Sequence, residues 1–150
     1  MIVLLALVGL LTIVVMILRG AVDVATPATW TVPGAALRAL GLLAGGLALG
    51  MYAWGLVHVV GGWLDAADGG ANSAPLRPCR DHLETERALQ VVGYDLDVIP
   101  PGFSCELTDG TSVEIPVVPA YVTPAVMALG AIAVVSLVAS GRTQSRTAGM

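Results

Sequence analysis

The stretch ALGLLAGGLALGMYAWGLVHVV, residues 39–60, decides the fold of this chain. It contains no Lys, Arg, Asp or Glu, and a helix needs about 20 predominantly apolar residues to cross about 30 Å of hydrocarbon. Two further apolar runs, Ile2–Leu18 and Tyr121–Ala139, have similar lengths and also lack Lys, Asp and Glu. The sequence therefore predicts a mainly α membrane protein with three transmembrane helices.

The composition indicates lipid rather than water as the main solvent of the chain. Of its 150 residues, 56% are hydrophobic and 12% are charged, whereas an ordinary soluble domain has about 25% charged residues. The net charge is −4 and every basic residue is an arginine. Because these arginines are scattered, they form no basic patch for nucleic acid. We expect a lipid bilayer around the chain and no nucleic-acid partner.

The arginines also predict how the chain is oriented. Arg19 ends the first run, Arg38 opens the second, and Arg142 and Arg146 follow the third. Cytoplasmic loops next to membrane spans are enriched in arginine, and three crossings place all of these residues on one side. We therefore predict a multi-pass protein of the cell (plasma) membrane, with its N-terminus outside and its C-terminus cytoplasmic.

These assignments divide the chain into successive segments. They are transmembrane helix 1 (1–19), a cytoplasmic connector (20–37), transmembrane helix 2 (38–63), an extracytoplasmic domain (64–120), transmembrane helix 3 (121–140) and a polar, unstructured cytoplasmic tail (141–150). Trp30 and Trp63 are predicted to lie at the membrane–water interface. A cleaved signal peptide is the alternative for residues 1–18; the missing basic start argues against it, and Ala21, Ala25 and Ala28 leave it open.

Small residues form two stripes on opposite faces of the second span. At about 100° per residue, one stripe contains Gly41, Gly45, Ala48, Tyr52 and Gly55, and the other contains Gly46, Gly50, Ala53 and Val57. Small residues let helix backbones approach closely in lipid. The simpler interpretation is that this helix packs between helices 1 and 3 of the same chain. The alternative is that one stripe binds a partner or a second copy.

The segment between helices 2 and 3 is predicted to be a small domain. From Trp63 to Ala120 it carries ten of the eleven acidic residues against three arginines, a net charge of −7. Such a charge favours the solubility of an exposed domain. Asp81 as N-cap, Glu84 three residues later and Gly93 as a stop predict a short helix between them.

Three alternating runs follow this predicted helix. In Tyr94–Val98 apolar residues alternate with aspartates, which is typical of a half-buried strand. Phe103–Leu107 and Val113–Val117 alternate in the same way on either side of Asp109-Gly110. Two such runs about an Asp-Gly pair predict a β-hairpin. The fold class is therefore three transmembrane helices with a helix-plus-hairpin α+β domain between helices 2 and 3.

Both cysteines of the chain, Cys79 and Cys105, lie in this domain. Two cysteines in an exported domain of this size are typical of a structural disulfide. A redox-active pair is the alternative, because Cys79 precedes a predicted helix and helix N-termini lower the pKa of thiols. Redox motifs, however, usually keep their cysteines close together as C-x-x-C. We predict a structural disulfide that staples the domain.

The remaining ligand candidates are few. His58 is an ionisable residue inside the second span, and such residues are functional candidates by default. Asp65 and Asp68 follow it closely, while His82 and Glu86 are spaced to share one helix face and could hold a metal. Neither set reaches three convincing ligands, so we predict no metal and no cofactor. The sequence also lacks a nucleophile elbow and a phosphate-binding loop, which predicts no catalytic residues.

These observations favour a non-catalytic integral membrane subunit or accessory protein of a larger membrane complex. Its partners would be other membrane-protein subunits or a second copy, and its packing or partner interface would comprise Gly41, Gly45, Gly46, Gly50 and Gly55. One alternative is an extracytoplasmic thiol-disulfide or metal-dependent protein that uses Cys79 and Cys105. A second alternative is a homo-oligomeric channel lined by the second span.

Overall fold

The computed structural model describes residues 2–27, 32, 34–67 and 76–148. The elements in chain order are α1 (Ile2–Ala25), α2 (Ala35–Ala67), α3 (Arg77–His82), α4 (Thr85–Ala88), β1 (Val91–Asp97), β2 (Gly102–Leu107), β3 (Ser112–Ile115) and α5 (Val122–Ala148). The described chain is thus mainly helical, with a small antiparallel sheet between its second and last long helices. This confirms the predicted class of three long apolar helices with an inserted α+β segment.

Three helices are long and apolar enough to cross a membrane: α1 from Leu7 to Ala25, all of α2, and α5 from Val122 to Ser145. Each extends beyond its predicted bounds. The residues of α5 after Ser140 had been predicted as an unstructured tail, and through Ala148 that prediction is wrong. No proline interrupts this stretch, and side-chain hydroxyls bond back to the helix, Thr143 Oγ1 to the Ser140 oxygen at 2.7 Å.

Several predictions on the connecting segments fall on residues outside this description. Trp30, Ala28 and the ligand candidate Asp68 lie there. Both ends of the predicted connector are helical, since α1 continues to Ala25 and α2 begins at Ala35. At this end of the two helices Asp23 and Arg38 form an ion pair of 3.8 Å between partly exposed groups. Such a pair is worth about 0–1 kcal/mol.

The chain divides into two compact units. The first, here called the helical unit, comprises Met1–Met51 and Pro124–Met150, and the second, the α/β unit, comprises Tyr52–Thr123. The helix α2 contributes its first half to the helical unit and its second half to the α/β unit. The predicted boundary of the small domain at residue 64 therefore leaves out a part of α2 that packs with it.

In the helical unit α1 and α2 meet through two glycines, one on each helix. A Cβ built on Gly46 would lie 2.6 Å from Ile17 Cγ1, and one built on Gly20 would lie 2.7 Å from Leu43 Cγ. Carbon atoms pack at about 3.5–4.0 Å, so neither site has room for a side chain. The contact between these helices depends on the missing Cβ atoms.

The opposite face of α2 meets α5. A Cβ on Gly41 would lie 2.7 Å from Leu137 Cγ, and one on Gly45 would lie 3.6 Å from Ala133 Cβ. The Gly45 position is also close to α1, with the Met16 methyl carbon at 2.9 Å. Glycines of the two stripes of α2 thus contact the two other long helices of the same chain, as the simpler interpretation expects.

In the α/β unit the three strands form an antiparallel meander in the order β1-β2-β3. The predicted hairpin is present, with Phe103 opposite Ile115 and Cys105 opposite Val113. The strand β1 adds to its other edge and pairs Tyr94 with Cys105. Its alternation predicts a strand, but its pairing partner was not predicted, because strand order depends on contacts distant in sequence.

The predicted helix beginning at Asp81 is wrong. The structure has two shorter helices, and Asp81 lies inside the first of them while Gly93 belongs to β1. The first helix starts earlier because Pro78 occupies its opening turn, where the fixed φ of proline suits a helix and no amide donor is needed. It ends at Leu83, whose extended backbone (φ −106°, ψ 152°) interrupts the run.

The core of the α/β unit lies between the sheet, α3 and the end of α2. Its fully or nearly fully buried members are Ala66, Cys79, Phe103, Cys105 and Ile115. Phe103 stacks on Tyr94 at a centroid distance of 5.5 Å, which adds to the burial energy. The ring also lies 3.3 Å from a Cβ built on Gly62, so a glycine of α2 makes space for the largest core side chain.

The hairpin turn is held by Asp109. Its Oδ1 accepts a hydrogen bond from the Thr111 hydroxyl at 2.6 Å and one from the Thr111 amide at 2.8 Å. Gly110 has a positive φ of 80°, a conformation that glycine adopts without steric cost. The Asp-Gly pair therefore forms the predicted turn through an aspartate acceptor and a left-handed glycine.

We expect Gly46→Leu to lower the free energy of unfolding of the helical unit by about 1–3 kcal/mol, the usual cost of overpacking. The added side chain collides with Ile17. Gly50→Leu is the matched control, because a Cβ there meets no described atom within 4 Å. Thermal unfolding in lipid nanodiscs should show a lower midpoint for Gly46→Leu alone. Equal midpoints for the two variants would contradict this packing.

The pKa of Asp109 is lowered by the hydrogen bonds from the Thr111 side chain and backbone. A lowered native pKa means that the carboxylate stabilises the fold above its unfolded-state pKa, and that this stability is lost as the pH falls through the native pKa. Acidification through that range should therefore weaken the hairpin. Asp109→Ala should abolish this part of the pH dependence and Thr111→Val should reduce it, as measured by thermal midpoints across acid pH. An unchanged profile in Asp109→Ala would disprove the role of the turn.

Candidate functional site

The predicted disulfide between Cys79 and Cys105 is present. It joins α3 to the central strand β2 across 26 residues of chain, with a Cα–Cα distance of 6.1 Å. Both cysteines are fully buried, at 0% exposure. Around them pack Phe103, Ile115 and Ala66. The disulfide is therefore an integral part of the core of the α/β unit.

This burial bears on the redox alternative. Thiol–disulfide exchange requires a thiolate to reach a disulfide sulfur. Here both cysteines lie beneath the apolar side chains of the core, so the folded domain presents no sulfur to a partner. The arrangement supports the structural interpretation, in which the bond restricts the unfolded chain.

A cleft of about 540 Å³ lies on the surface of the α/β unit. It is bounded by α2, by α3 and by the segment that follows β3. Its lining includes both histidines of the chain, two aspartates and an arginine: Trp54, Val57, His58, Gly61, Gly62, Asp65, Arg77, Pro78, Asp81, His82, Pro116 and Val117. The fold therefore brings together polar side chains from two segments that are distant in sequence.

His58 is held by its own helix. Its Nδ1 lies 2.9 Å from the Trp54 carbonyl oxygen, and because a carbonyl oxygen can only accept, Nδ1–H donates this hydrogen bond. The Trp54 ring packs edge-on against the imidazole at a centroid distance of 4.7 Å. These contacts fix one face of the cleft.

The second predicted ligand pair is not brought together as expected. His82 is the last residue of α3 and Glu86 lies in α4, so the two no longer share one continuous helix face. Only His82 lines the cleft. Within the described residues, no three His, Cys, Asp or Glu side chains form a group suited to holding a metal ion.

The cleft contains groups of both charges. Arg77 and the carboxylates of Asp65 and Asp81 line it, and Asp81 also pairs with Arg80 at 3.8 Å. Guanidinium groups bind carboxylates and phosphates, while carboxylates accept hydrogen bonds from amines. The arrangement suits binding of a polar ligand or of a partner surface that carries both charges.

Sequence reasoning missed the contribution of α3 to this cleft. Arg77 and Asp81 flank Cys79, which the disulfide ties to the sheet. The available signal was the proline of α3, which marks a helix start before the cysteine rather than after it. Trp54, by contrast, was recognisable from its four-residue spacing to His58, which places both on one helix face.

Replacing both cysteines by serine, Cys79→Ser with Cys105→Ser, should destabilise the α/β unit by about 3–4 kcal/mol, the loop-entropy estimate for a loop of this length. Protease susceptibility in nanodiscs should rise sharply. The unaltered protein is first treated with a reducing agent and then with a maleimide reagent. The maleimide should label the cysteines only when the domain is also denatured. A stable double variant, or labelling of the native protein under mild reduction, would contradict the structural role.

Comparison of the chain with protein families, with curated proteins and with solved structures gave no match.

Proposed function

We propose that the chain is a non-catalytic integral membrane subunit or accessory protein of a larger membrane complex. The α/β unit faces the extracytoplasmic side, the N-terminus is outside and the C-terminus lies in the cytoplasm. The arginines at the ends of the spans support this orientation through the positive-inside rule. The plasma membrane is the corresponding location, and it suits a disulfide because extracytoplasmic compartments are oxidising.

The observation that supports the proposal is a glycine of α2 that continues the stripe facing α1 but is not covered by another helix. On α2, Gly46 is covered by Ile17 of α1, whereas Gly50, one turn further along the same stripe, has no described atom within 4 Å of its Cβ position. Small residues on membrane helices are sites of close backbone approach. The stripe thus extends beyond the contact that this chain makes with it.

The facing helix shows the same pattern. On α1 the residues towards α2 include Met16 and Gly20, and Ile13 is half-buried one turn earlier. Gly9, four residues before Ile13, again has no described atom within 4 Å of its Cβ position. Both helices therefore carry an uncovered small residue beyond the glycine contacts at Gly20 and Gly46. A helix from another chain fits such a place without displacing any contact inside this chain.

The alternatives are less well supported by the geometry. Thiol exchange requires accessible sulfur, and both cysteines are fully buried. A homo-oligomeric channel would use the same uncovered stripe for a second copy, but the residues around Gly50 are apolar and provide no polar lining for ions.

The test is purification of the tagged protein from its native membrane in a mild detergent, followed by sizing and mass spectrometry. We expect co-purification of a specific larger complex in fixed stoichiometry. Gly50→Leu should lose this complex while keeping the thermal midpoint of the isolated chain. Gly130→Leu is the matched control in the helical unit, since its Cβ position is also open but it belongs to α5 and not to the α2 stripe.

Recovery of a lone monomer from the native membrane would disprove the proposal. Recovery of a homo-oligomer that conducts ions would favour the channel. Loss of the complex in Gly130→Leu as well as in Gly50→Leu would show that the effect is not specific to the stripe.

A further inference from the structure

The turn between β1 and β2, residues 98–101, carries Ile99, the most exposed large apolar side chain among the described residues. Ile99 is 86% exposed and Val98 is 56% exposed. Two prolines follow them, so the turn presents no charged group of its own. Large apolar side chains with this degree of exposure and in adjacent positions indicate a contact surface.

The turn is fixed against α2. The Tyr52 hydroxyl donates a hydrogen bond of 3.0 Å to the Val98 carbonyl oxygen. One turn of helix further on, a Cβ built on Gly55 would lie 3.1 Å from Pro101 Cγ. The turn therefore has a defined position beside the Tyr52–Gly55 segment of α2.

This position coincides with the start of a membrane-spanning helix. The Cβ position of Gly55 is also 3.0 Å from Val122 Cγ1, and Val122 is the first residue of α5 and of its apolar span. With a rise of 1.5 Å per residue, the 24 residues of that span cover about 36 Å, slightly more than the hydrocarbon thickness of about 30 Å. The length of this span therefore fits a hydrocarbon boundary at the level of Val122.

Exposed aromatic residues mark the same boundary. Trp54 is 49% exposed and Tyr121 is 56% exposed, and each is close in sequence to a residue of the Gly55–Val122 contact. Tryptophan and tyrosine side chains concentrate at the level of lipid headgroups. The 98–101 turn thus lies among residues that are typical of the membrane–water interface.

We propose that the 98–101 turn inserts Val98 and Ile99 into the interfacial region of the bilayer, so that the sheet is held on the lipid surface. The occupant of this apolar surface is lipid, because the turn is continuous with the exposed apolar and aromatic residues at the ends of the spans. The contact is apolar rather than electrostatic, since the domain has a net charge of −7 and anionic lipids would repel it.

The turn at the other end of the sheet has the opposite character. The β2–β3 turn contains Thr108, Asp109, Gly110 and Thr111, all of them exposed. It is separated from the 98–101 turn by the six residues of β2, about 20 Å at 3.3 Å per residue. The 98–101 turn is therefore apolar and the β2–β3 turn polar, while Leu89 and Val92, beside the β2–β3 turn, are a second pair of exposed apolar residues.

The test uses spin labels at introduced cysteines in nanodiscs of phosphatidylcholine. Both native cysteines are in the buried disulfide, so an introduced cysteine is the reactive one. Ile99→Cys is compared with Thr108→Cys in the polar β2–β3 turn and with Met127→Cys, an exposed position in the span of α5. Each label is measured for collision with oxygen, which concentrates in lipid, and with a water-soluble nickel chelate.

We expect the label at residue 99 to be more accessible to oxygen and less accessible to the nickel chelate than the label at residue 108. Both values should approach those of the label at residue 127. Equal nickel accessibility at residues 99 and 108 would overturn the proposal. So would a label at residue 99 that is shielded only when other protein subunits are present, because the occupant would then be protein. The comparison of residues 99, 108 and 127 uses the isolated chain, so it does not depend on the proposed membrane complex.

Discussion

Close backbone approach at the glycines of α2 is the constraint on which both units of this protein depend. In the helical unit, Gly41 and Gly46 lie against α5 and α1 on opposite faces. In the α/β unit, Gly55 and Gly62 do the same for the start of α5 and for the ring of Phe103. Lipid provides no hydrophobic driving force between membrane helices, so they associate through close van der Waals packing, which the missing Cβ atoms allow. One helix thereby organises two cores of different kinds.

The two cores are stabilised differently. The helical unit relies on packing between apolar surfaces, with Asp23 and Arg38 adding a partly exposed ion pair at one end of the α1–α2 contact. The α/β unit buries few residues and adds a covalent bond between Cys79 and Cys105. Domains of this size usually need such a supplement, because their surface is large relative to their volume. The disulfide therefore supplements a small apolar core, to which the end of α2 contributes Ala66.

The parts of the fold that depend on local patterns could be predicted from the sequence, and those that depend on distant contacts could not. Apolar run lengths predict the long helices, and Asp109-Gly110 predicts the hairpin. The helix predicted from Asp81 and Gly93 is absent, because tertiary contacts of Cys79 and β1 outweigh local capping preferences. The cleft combines residues near His58 with residues near Arg77, and no periodicity relates two segments so far apart. The disulfide was predictable because the chain has only two cysteines.

Complete burial of Cys79 and Cys105 also has a consequence for the biogenesis of the protein. An oxidant can reach these sulfurs only while Phe103 and Ala66 have not yet closed over them. The bond must therefore form before the core closes, on a domain that is still partly open. A chain that folds before its cysteines are oxidised would keep its thiols, so the order of oxidation and closure becomes a kinetic checkpoint in the maturation of this domain.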